Sequence, residues 1–108
     1  MKAMATNRLE ILRQMVQQDP ENSFARYGLA MEVLKSGDYA GAIAEFEELL
    51  RHDGDYAAAY FHGGQASEKA GELEKAREFY EKGIEITTRK GDVHTRSEIE
   101  AALSLLPI

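Results

Sequence analysis

The chain contains no cysteine and no tryptophan, and only two prolines. Without thiols it can build no disulfide framework, no thiolate nucleophile and no Cys-ligated zinc site. No apolar run approaches the roughly 20 residues that a membrane-spanning helix needs. Met1-Lys2-Ala3-Met4-Ala5-Thr6 lacks the apolar core of a signal peptide. Basic charge is scarce as well, with 13 Lys and Arg against 19 Asp and Glu and a formal net charge of −6. Nucleic-acid and anionic-membrane binding both rely on clustered Lys and Arg, so neither partner is expected. Alternating strand patterning is missing too. These absences leave a cytoplasmic, all-α protein of one domain, residues 1–108, with 44% hydrophobic and 30% charged residues.

What is present is a repeat. Gly37-Asp38-Tyr39-Ala40-Gly41-Ala42-Ile43-Ala44-Glu45-Phe46 returns as Gly71-Glu72-Leu73-Glu74-Lys75-Ala76-Arg77-Glu78-Phe79-Tyr80, 34 residues later. Each copy reads as a turn followed by the start of an amphipathic helix. A fixed period in this range marks a solenoid, whose stacked units bury one another's apolar faces.

Taken in order, residues 1–6 have nothing to pack and are expected to fray. From Asn7 the pattern is helical, with Leu9, Leu12, Met15 and Val16 on one stripe. Asp19-Pro20 stops that helix, and Pro20 or Asn22-Ser23 opens the next. The second helix is apolar around much of its circumference, which predicts that it is sandwiched between neighbours. Gly37 fits its left-handed end and Asp38 the next N-cap. His52-Asp53-Gly54-Asp55 reads as a turn with a Gly stop and an Asp start. Gly63-Gly64, inside the fourth helix, implies close approach of another helix backbone. The fifth helix runs long, to Gly91. Asp92 or Thr95 can cap a sixth, and Thr95 to Glu98 has capping-box spacing.

These residues resemble the tetratricopeptide repeat (TPR) family, whose unit is a 34-residue helix–turn–helix with A-x3-F in its second helix. Ala42…Phe46 and Ala76…Tyr80 carry that signature. Leu29-Ala30 and Gly64 stand near the family's Leu-Gly, Tyr60 and Arg26 stand where it has Trp, and Gly37 and Gly71 mark the turns. The resemblance implies a right-handed α-solenoid of antiparallel helix pairs, about six helices in all. It comprises a half repeat (7–19), full repeats over 21–54 and 55–90, and a capping helix over 92–106.

In this family the first helix of each repeat lines a concave groove that takes an extended peptide or a helix. Carried over by position, the groove is Phe24, Tyr27, Gly28, Met31, Leu34 and Lys35 from one copy. The other copy supplies Phe61, His62, Gln65, Glu68 and Lys69, with Arg96 from the last helix. The competing reading places Phe24, Tyr27 and Met31 in the core, since apolar groups at helical spacing usually pack there. The Lys and Asn clamp with which one branch grips a C-terminal carboxylate is replaced here by Tyr27, Met31 and His62. No metal site, cofactor or catalytic arrangement can be drawn. His52 reads as a solvated turn residue, and His62 and Glu68 lie on opposite sides of their helix. The expected function is therefore a non-enzymatic scaffold module binding a protein or peptide. A self-assembling unit that forms a homodimer through its end helices, or a regulatory helical domain attached to an enzyme, are the alternatives.

Overall fold

The computed structural model describes the backbone of residues 2–108 and the side chains of residues 8–108. Six helices follow one another: α1 (Lys2–Gln18), α2 (Ser23–Lys35), α3 (Tyr39–His52), α4 (Ala57–Lys69), α5 (Leu73–Lys90) and α6 (Val93–Ser104). No strand occurs among the described residues. The backbone is helical from Lys2, so α1 opens before Asn7 and the expected fraying does not extend through residue 6. Met1 lies outside the described residues.

Short connections force consecutive helices to run antiparallel, and each packs on its neighbours in sequence. Beyond that, α2 touches α4 and α4 touches α6, whereas the backbones of α1, α3 and α5 stay apart. The even-numbered helices therefore form an inner layer and the odd-numbered ones a splayed outer layer. Long side chains bridge the outer gaps, with Arg13 4.0 Å from Glu45 and Lys75 3.1 Å from Glu47. The resulting body measures 39 × 27 × 20 Å.

Local chemistry sets the starts and stops. The side chains of Asn22, Asp38 and Asp92 accept the N–H groups of Ala25, Gly41 and Thr95 at 3.0, 2.9 and 3.1 Å, satisfying donors that a helix N-terminus leaves free. Gly37, Gly71 and Gly91 take positive φ of 88°, 79° and 73°, which only glycine adopts without strain. Two caps differ from expectation. Gly54 is not left-handed, and α4 starts after Tyr56 with no side-chain cap. Asp55 instead accepts from Arg89, and its carbonyl accepts from Lys90 Nζ at 2.8 Å. The long end of α5 thus clamps the turn that lacks a cap. At α6, Asp92 is the cap and Thr95 supplies the donor, so Thr95 and Glu98 form no capping box.

One core runs the length of the stack through Leu29, Phe46, Leu49, Tyr60, Phe79, Tyr80 and Ile99. The two glycines inside α4 are explained by rings rather than by a helix backbone. A Cβ on Gly63 would meet Phe79, and one on Gly64 would overlap Tyr80. The positions where the family has Trp share one task here. Arg26 Nε donates to Pro20 O at 2.9 Å and Tyr60 OH to Gly54 O at 2.6 Å. Those carbonyls are 34 residues apart, so two unrelated side chains close the same turn in successive repeats.

Candidate functional site: the inner helix layer

Between α2 and α4 the inner layer gathers aromatic rings. The Tyr27 ring centre lies 5.2 Å from Tyr56, 6.0 Å from His62 and 6.5 Å from Phe46. His62 stacks on Phe46 at 6.4 Å and meets Phe61 edge-on at 5.2 Å. Phe46 is fully buried, whereas Tyr27, Tyr56, Phe61 and His62 are half-buried. Tyr27 is partly buried and packs against the core cluster.

The electrostatics follow from this burial. Desolvation lowers the His62 pKa below its ordinary value, opposed by the hydrogen bond to Gln65 and by the charge of Glu98. His62 Nδ1 lies 3.1 Å from Gln65 Oε1, which holds the ring in place. Burial likewise raises the Tyr27 and Tyr56 hydroxyls, and they stay protonated. No cluster of metal-ligating side chains occurs among the described residues. The surface offers π faces, hydroxyl tips and an amide, which are contact chemistry for a peptide.

The expected groove residues divide by location. Tyr27, Phe61, His62 and Gln65 come together in the cluster, and Met31 and Leu34 sit half-buried against the core. Phe24 is 77% exposed but lines a groove at the α1 end of the stack. Lys35 is exposed and lies 3.8 Å from Glu32. Glu68 accepts from the Tyr80 hydroxyl, and Lys69 lies over the Tyr39 ring at 6.0 Å. Both lie in the last turn of α4, and their partners are Tyr80 and Tyr39 rather than the ring cluster. Arg96 Nε lies 3.6 Å from Glu100 Oε2, within ion-pair range, but is buried and makes no hydrogen bond. Its counterparts Arg26 and Tyr60 reach a turn carbonyl, but the longer α5 moves that turn out of register. Sequence reasoning missed Tyr56. It reaches Tyr27 because neighbouring inner helices pack side by side, a contact that no single-helix pattern contains.

Helix pairs stacked so that alternate helices line one curved face define an α-solenoid. Within that class the chain belongs to the tetratricopeptide repeat family, whose sequence model matches residues 27–89. A TPR repeat-containing protein of Pseudomonas aeruginosa is 29% identical over 98 residues, covering 91% of this chain and 93% of its own. The solution structure of a tetratricopeptide repeat domain protein from Salinibacter ruber is 37% identical, with a TM-score of 0.76 over 82% of this chain and 90% of that one. PcrH, in complex with the chaperone binding region of PopD, shares the fold at a TM-score of 0.88 and 14% identity, over 97% of this chain and 80% of its own.

Proposed function

We propose that the protein is a non-catalytic interaction module that takes a peptide or helix of a partner protein on the concave face of α2, α4 and α6. The observation that carries this is the half-buried cluster of Tyr27, Tyr56, Phe61 and His62. Rings anchored on one side and open on the other give a binding surface that is ordered before the ligand arrives. The kinship in fold with PcrH, which holds a segment of another protein, supports the same reading.

Peptides selected from a display library against the whole chain provide the test, with binding mapped by amide chemical shifts. Shifts should concentrate on Tyr27, Phe61 and Gln65, and Phe61→Ala should weaken binding at least tenfold, the loss expected at an interface anchor, with helicity unchanged. Shifts confined to α3 and α5 would defeat the proposal.

A further inference from the structure

At the α1 end of the stack, Arg8, Ile11, Leu12, Met15, Phe24, Ala25 and Gly28 line a groove of roughly 450 Å³. The repeat shows what such a groove is for. Counting 34 residues on, the half-buried Leu12 and the exposed Met15 correspond to Phe46 and Leu49, which are fully buried. They are buried because α2 lies antiparallel across α3 and touches α4. The next repeat seats α4 across α5 and α6 in the same way. At the α1 end no described helix takes that place, and Ile11, Met15 and Phe24 are 55%, 39% and 77% exposed. The vacancy has the shape of a helix antiparallel to α1.

We propose that a second copy of this chain fills it, with the two α1 helices pairing antiparallel about a two-fold axis, each across the α1–α2 groove of the other. A two-fold interface must be complementary to itself, and α1 meets that condition. Its uncovered stripe is apolar, with Ile11 and Met15 one turn apart and both exposed. The one charge in the groove wall, Arg8, is already paired with Glu32 at 3.1 Å, so no unbalanced charge remains to select an oppositely charged partner. Gln14 and Gln18 flank the stripe by position and are exposed, and amides both donate and accept, so like meets like. Arg13 is turned away toward Glu45. At the other end, α6 turns Ser97, Glu100 and Ser104 outward. Its exposed apolar groups are Val93 at its start and Leu105 and Ile108 past its end, at opposite ends of the helix. With one apolar end per copy, the assembly closes at two copies rather than growing into a filament. A helix of 17 residues is about 25 Å long. Such a contact offers on the order of 600 Å² per copy, the low end of specific interfaces, so the dimer is reversible.

Sedimentation of the full chain across concentrations is the first test, read against circular dichroism. The wild type should pass from monomer to dimer. Ile11→Glu should weaken dimerisation at least tenfold with helicity intact, and Leu105→Glu should leave it unchanged. Because the chain has no cysteine, single-cysteine variants give a clean geometric readout. Gln14→Cys should cross-link to itself on oxidation and Ser104→Cys should not. A wild type that stays monomeric at millimolar concentration overturns the proposal and leaves the groove to a helix of another protein. A dimer that survives Ile11→Glu, or that cross-links through Ser104→Cys, overturns it in favour of another face.

Discussion

At the scale of residues, His62 is the clearest case of burial setting chemistry. Its folded-state pKa is lowered, mainly by desolvation. The unfolded chain therefore takes up the proton first as pH falls below about 6.5, the ordinary histidine value. The stability present above that pH is lost as pH falls through the lower, folded-state pKa. Urea midpoints measured from pH 7.5 to 5 should decline, and His62→Gln should flatten the decline. An equal slope in the variant would show that another group is responsible. Spacing alone brought His62 and Gln65 onto one helical face and set Glu68 apart. It could not show that Phe46, from α3, stacks on the imidazole, because that contact crosses helices.

At the scale of elements, α4 shows a local preference overridden by packing. Replacing a helical glycine by alanine ordinarily gains about 1 kcal/mol in helix propensity. At Gly64 the added methyl overlaps the Tyr80 ring. That ring is fully buried and held through its hydroxyl by Glu68, so it has nowhere to go. Overpacking costs about 1–3 kcal/mol, and steric strain wins: Gly64→Ala should lower the melting temperature. Gly28 is the contrast. Its added methyl would meet only the tip of Leu12 at 3.2 Å, beside the open groove. Gly28→Ala should therefore be neutral or stabilising, by up to about 1 kcal/mol. Calorimetry of the two variants checks both signs; a stabilised Gly64→Ala would mean that the α4–α5 contact is looser than described. From sequence, the glycine pair signalled close approach. That rings rather than backbone fill the space depends on the register of α5 against α4.

At the scale of the whole molecule, a stack whose units touch mainly their neighbours has stability that varies along it. α1 packs on α2 alone, while α3 and α4 are covered on both sides. Hydrogen exchange of the dilute protein should release the α1 amides first and those of α3 and α4 last. Raising the concentration should slow exchange in α1 selectively if two copies pair there. Uniform protection along the chain would contradict the picture of neighbour-wise stability. The same asymmetry separates the two surfaces proposed above for partners. The concave ring cluster lies in the stiff middle of the stack, and the apolar groove at its softer end.

The sequence by itself determined the period, the all-α class, the glycine stops at 37 and 71, and the Asp38 cap. Each follows from interactions within a few residues of chain, and the 34-residue spacing repeats them. Only the tertiary structure decided that Arg26 and Tyr60 do the same work, that Tyr56 joins Tyr27, and that Phe24 belongs to the end groove. Only there, too, does Glu68 meet the Tyr80 hydroxyl and Lys69 the Tyr39 ring, and do Arg89 and Lys90 clamp the turn at Asp55. Those outcomes depend on how far one helix slides or rotates against the next. That displacement is fixed by the fit of side chains across helices, about which a single helix carries no information.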